Sequence, residues 1–129
     1  MLLEIDDWRT IGDLQYRFNK CFPNLNLQFF DAYNARIHDH PLAPNYLLEN
    51  VRKVHQQGVL NIKSWFTKKE VETQLREQFG LFAKVVPVHE GQKFAQQESS
   101  KMTLHELNEK AQLREGRSVP RLEDADEFA

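Results

Sequence analysis

The sequence predicts an α+β fold of the ferredoxin-like order β-α-β-β-α-β, with a three-layer α/β parallel sheet as the alternative. Three observations carry the prediction. Residues 2–22 nearly repeat at residues 59–79, an offset of 57, with identity at Leu3/Leu60, Ile5/Ile62, Trp8/Trp65, Thr10/Thr67 and Phe22/Phe79. Each copy reads as strand-helix-strand, and repeats dictate architecture before other signals do. Three of the four strands carry polar residues at alternate positions: Glu4 and Asp6, Asn26 and Gln28, Asn61 and Lys63. Strands of a parallel sheet covered on both faces are continuously apolar, so this alternation favours an antiparallel sheet with one wet face.

The elements follow in order. Leu3 and Ile5 alternate with Glu4 and Asp6, a half-buried strand. Thr10 opens a helix with Asp13 at the capping-box position, and Ile11, Leu14, Phe18, Cys21 and Phe22 form its apolar face. On that face Cys21 is expected as a buried, inert thiol. Pro23-Asn24 stops the helix, and Leu25, Leu27 and Phe29 form the second strand. Residues 31–44 read as a loop, and 45–57 as a short helix with Leu47 or Leu48, Val51 and Val54 inward. Leu60 and Ile62 make the third strand. Thr67 and Glu70 then form a capping box, Phe66 and Val71 a hydrophobic staple, and Gly80 ends the helix they open. Leu81 to Val88 is the fourth strand, with Pro87 marking an edge. A short strand is expected over 92–97. A third box, Thr103 and Glu106, opens a helix to about Leu113. The domain is therefore expected over 1–113, with pseudo-repeats 2–30 and 59–88, and a disordered acidic tail over 114–129.

Bulk properties exclude more than they assign. A 40% hydrophobic share with nine Phe is enough for a core and too much for a disordered chain. The N-terminus shows no signal segment, and one cysteine allows no internal disulfide, so a cytoplasmic protein in a reducing compartment is expected. The net charge of −2 lies wholly in residues 113–129, which hold three Arg and five acidic residues. The neutral body lacks the field of a nucleic-acid or membrane-surface binder. The outward strand positions Glu4, Asp6, Asn26, Gln28 and Asn61 offer no base-stacking aromatic, which also disfavours nucleic acid.

Four constellations in the sequence bear on chemistry. Trp8 and Trp65, at matched places before the helix caps, could be ligand platforms; the expectation is that each closes a strand-to-helix corner, since Trp is highly buried on average. Lys63, Lys68 and Lys69 surround the start of the second helix and are the candidate anion-binding residues, for a phosphate or nucleotide. Cations oppose the helix dipole there, and the first copy has Ile11 and Gly12 instead. His38 and His40 are candidate metal ligands, with Asp31, His55 and His89 nearest in sequence, but a bare H-x-H is a weak zinc signal. Carboxylate pairs such as Glu70 and Glu72 are too common to mark an acid–base dyad. No catalytic or nucleotide-binding motif is present, and no cofactor is expected.

The segments from Thr10-Ile11-Gly12-Asp13-Leu14-Gln15 to Phe22-Pro23-Asn24-Leu25, with Leu27 to Phe30, resemble a family of small uncharacterised bacterial cytoplasmic proteins. Gly58 to Ile62, Gln78 to Leu81 and Thr103 to Asn108 are similar to it as well, so the resemblance covers about residues 2–110. It implies a fold that includes the helix after Thr103, no assigned activity and no site residues. The expected function is a non-enzymatic binding or regulatory module acting through a protein partner or self-association. Anion binding at the lysines and a metal-dependent enzyme at residues 38–40 are the alternatives. Function is expected where the copies disagree, at Lys68 and Lys69 and in residues 31–58.

Overall fold

A computed structural model describes residues 1–32, 40–88 and 101–118, with side chains to Ala111 in the last helix. The chain is a small α+β domain whose described residues form two antiparallel two-stranded sheets and four helices: β1 (Leu2–Ile5), α1 (Ile11–Cys21), β2 (Leu25–Phe30), α2 (Leu48–Val51), β3 (Gly58–Asn61), α3 (Lys68–Phe79), β4 (Phe82–Pro87) and α4 (Leu104–Ser118). Both ladders are antiparallel, β1 with β3 and β2 with β4, which removes the parallel-sheet alternative. The ladders also differ from one ferredoxin-like four-stranded sheet, because each stops at two strands among the described residues.

Every strand pairs with its counterpart in the other half of the chain. Leu3 lies opposite Leu60, the residue that the 57-residue offset equates with it. In the second ladder the equivalent pair is Gln28 and Lys84, offset by 56, because Gly80 alone stands where the first half has Pro23-Asn24. The two register centres therefore relate the halves by an approximate two-fold operation.

The correspondence reaches further than the predicted pseudo-repeats. Thr10 bridges Leu47 as Thr67 bridges Thr103. Leu48 N–H donates to Arg9 O at 2.9 Å and Glu49 N–H to Asp7 O at 3.2 Å; Leu104 N–H donates to Phe66 O at 2.8 Å and His105 N–H to Ser64 O at 3.1 Å. Thus α2 is placed as the first turn of α4 is, and among the described residues each half runs β-α-β-α. The helix expected over 45–57 is only Leu48–Val51. Leu47 makes no side-chain cap, Arg52 is extended at φ −133°, and Val54 is half-exposed. In contrast, α4 has a full Thr103–Glu106 box and runs to Ser118, past the expected boundary at Leu113. The strand expected over 92–97 lies outside the described residues, as does the tail beyond 118.

The core lies between the inner faces of the ladders and the helices. Leu3, Ile5, Leu60 and Ile62 enter it from one ladder and Leu25, Leu27, Phe29 and Val85 from the other. The face of α1 is Ile11, Leu14 and Phe18, completed by Phe22, whose ring centroid is 5.1 Å from that of Phe18. Because Phe22 takes the next inward place, Cys21 is left exposed, contrary to expectation. Helices also close the sheet edges. Gln15 Nε2 donates to Leu27 O at 2.8 Å, and at the matched position Glu72 Oε2 accepts from Val85 N–H at 2.8 Å. Side-chain caps of this kind keep an edge from pairing with another chain.

The capping box of α3 is complete, with Thr67 Oγ1 accepting from Glu70 N–H and Glu70 Oε1 from Thr67 N–H. Thr67→Ala removes the first of these bonds. Its expected cost is about 1 kcal/mol, read as a fall in Tm of about 4 °C by calorimetry.

Candidate functional site

The outer face of the β1–β3 ribbon is the most distinctive surface. With Leu3, Ile5, Leu60 and Ile62 inward, the strand period places Leu2, Glu4, Val59 and Asn61 outward, and all four are exposed. Trp8 and Trp65 follow the two strands at opposite ends of the ribbon. Trp8 is 66% exposed and Trp65 is 65% exposed. The expectation that each ring closes a corner is therefore wrong. The corner is closed instead by Leu48 and Leu104, fully buried under the backbone bonds described above, so the preceding indoles are left outside.

Each indole is tied to an outward strand residue through a cation. The Arg9 guanidinium lies 4.4 Å from the Trp8 ring centroid and is paired with Glu4 and, at 3.4 Å, with Asp6. Lys63 Nζ lies 5.8 Å from the Trp65 centroid and, in the amide orientation that also lets Asn61 donate to Met1 O, donates to the Asn61 oxygen at 2.9 Å. Cations beside both rings favour these poses by about 0.5–1 kcal/mol each. The two halves of this face differ in sign. Residues 4–13 hold four carboxylates and one Arg, net −3, and the equivalent residues 61–70 hold three Lys and one Glu, net +2.

The lysines named from sequence do not share one partner. Lys63 serves Trp65 and Asn61, and Lys68 Nζ lies 3.9 Å from the Glu72 carboxylate. Lys69 is exposed. The mismatch with Ile11 and Gly12 has a packing cause in the first half. Ile11 is fully buried, and a Cβ on Gly12 would stand 3.0 Å from Pro44 Cβ. The Gly12 N–H also donates to Pro44 O at 2.8 Å. His40 is exposed and His38 lies outside the described residues; among the described residues no group of three or more His, Cys, Asp or Glu is arranged to hold a metal ion.

Sequence reasoning missed a second cluster. Arg52 is fully buried. Its Nε and Nη2 donate to Asp7 Oδ1 at 3.0 and 2.8 Å, and Nη1 donates to Gln56 O at 2.8 Å and Phe79 O at 3.0 Å. The other Asp7 oxygen meets His55 Nδ1 at 3.0 Å. Burial raises the Asp7 pKa, but the hydrogen bonds from His55 and Arg52 and their charges outweigh it and hold the carboxyl below its ordinary 3.8. In the second half Asp7 becomes Ser64, Arg52 becomes Asn108 and His55 becomes Ala111. Asn108 performs the matching brace with different chemistry: its Oδ1 accepts from Asn24 N–H at 2.8 Å and its carbonyl from Asn24 Nδ2 at 3.2 Å. The available signal was an arginine amid the apolar spacing Leu48, Val51 and Val54.

Glu72 has a raised pKa, pushed up by burial against the lowering effects of the Val85 N–H, Lys68 and Lys84. It borders a hollow of about 160 Å³ with Phe30, Arg76 and Phe82, and its oxygen is engaged as the β4 edge cap.

No protein-family profile, curated protein or solved structure matches the chain. Among the described residues no helix is long and apolar enough to cross a membrane.

Proposed function

We propose that the protein is a non-enzymatic binding module that recognises a protein partner through the outer face of β1 and β3. The reading takes the two halves as copies of one β-α-β-α unit, an internal duplication in origin. The carrying observation is the pair of indoles, each about two-thirds exposed at matched positions. An aromatic side chain buries roughly 150–250 Å² when covered, so the two indoles together offer roughly 200–330 Å². Leu2 and Val59, 58% and 55% exposed, add apolar surface between them. The area alone is ordinary for a soluble protein; what singles the face out is its residue type, since tryptophan and arginine are among the residues that most often anchor interfaces.

A photo-crosslinking amino acid at Val59, introduced into the full chain in its native cytosol, tests the reading. A discrete adduct that disappears in the Trp8→Ala/Trp65→Ala variant is expected. Absence of any adduct from position 59, with a control position elsewhere equally silent, would overturn it.

A further inference from the structure

We infer that the partner on this face is a second copy of the same chain, in an isologous dimer whose axis sets the first half of one protomer against the second half of the other. The inference rests on the binding-face reading above and adds the identity and orientation of the occupant. Charge complementarity carries it. The approximate two-fold relation within the chain equates Asp6 with Lys63, Glu4 with Asn61 and Trp8 with Trp65. A face with this internal symmetry presents the same relief to a second copy in either of two dyad orientations. Shape alone allows two orientations. A dyad along the line joining the two ends of the face sets like against like, acidic on acidic. A dyad across that line sets Glu4 and Asp6 of one copy near Lys63 of the other, and Trp8 against the partner copy's Trp65. Among the described residues Glu4 and Asp6 have only Arg9 to share, so carboxylate charge is left over there. Lys63 has a neutral amide as its neighbour, so its charge is also left over. Only the second orientation lets the surplus charges meet.

In an isologous dimer each cross-contact occurs twice, so one substitution acts at two places. Sedimentation velocity of the full chain, across a concentration series and at low and high salt, reads the dimer directly. The wild type is expected to reach twice its 15.2 kDa mass, and to dissociate as salt screens the contact. Lys63→Asp sets carboxylate against carboxylate and is expected to raise the dissociation constant about tenfold. The double variant Asp6→Lys/Lys63→Asp restores opposite charges and is expected to recover the dimer, which mere damage to the fold would not allow. Circular dichroism of each variant verifies that it is folded.

A wild type that stays monomeric at its solubility limit overturns self-association. The crosslinking result then stands separately, since an adduct with a different protein would support the face but not this occupant. A dimer indifferent to Lys63→Asp, or a double variant no better than the single, overturns the orientation. Quenching of tryptophan fluorescence by a single-stranded oligonucleotide, with the protein monomeric, would also overturn it and assign the indoles to base stacking.

Discussion

Replacing Asp7 by Asn is expected to destabilise the fold by about 3 kcal/mol, because it strands the buried Arg52 guanidinium without a counter-charge. For a chain of 129 residues this amounts to a fall in Tm of about 10 °C. The double variant Asp7→Asn/Arg52→Met is expected to lose less than the sum of the single changes, since no charge is then left behind. The sign of the pH dependence follows from the lowered folded-state pKa of Asp7. A carboxyl depressed on folding contributes stability above its unfolded value, and that contribution is lost as pH falls through the folded value. Wild type and Asp7→Asn are therefore expected to converge in acid and to reach full separation above about pH 5. Urea denaturation at several pH values measures this. Equal stability of the two proteins at neutral pH would show that Arg52 does not depend on Asp7.

The second large effect is expected at Gly80. Its φ is 66°, in the left-handed region, and its N–H donates to Arg76 O at 3.0 Å, closing α3. A Cβ there would stand 2.9 Å from Val54 Cβ, closer than side chains tolerate. Gly80→Ala combines left-handed strain of about 1 kcal/mol with overpacking of about 1–3 kcal/mol, roughly 3 kcal/mol in sum. The two components separate experimentally. Val54→Ala removes the methyl groups but leaves its own Cβ, so Gly80→Ala/Val54→Ala is expected to regain part of the overpacking cost and none of the strain. If Gly80→Ala unfolds with wild-type Tm, the left-handed turn and its contact are not what they are described to be.

Local chemistry explains what was legible in the sequence. The three capping boxes at Thr10, Thr67 and Thr103 are short-range patterns with their partners three residues away, and each helix starts where its box says. Strand alternation likewise sorted Leu3, Ile5, Leu60 and Ile62 to the inside. Strand pairing is non-local, and the repeat by itself did not say that β1 would meet β3 antiparallel. The tryptophans were misread because average burial was applied to a place where the next turn of chain, at Leu48 and Leu104, already fills the corner. The likeness of Leu47–Val51 to Thr103–Leu107 rests on two apolar positions, too few to see without the matched bonds to Arg9 and Phe66. Arg52 was invisible for a related reason. Its significance comes from Asp7 and the end of α3, which lie far away in the chain.

Arg52 holds the last carbonyl of α3, and Asn108 holds the residue just beyond α1. Each half is thus latched by the other, and none of the described strands gains a ladder partner from its own half. The chain must close loops of nearly half its length before any sheet hydrogen bond repays the entropy. Pairing across such separations slows folding and makes each ladder depend on both halves. A lesion on one side of the approximate dyad should therefore be felt on the far side as well.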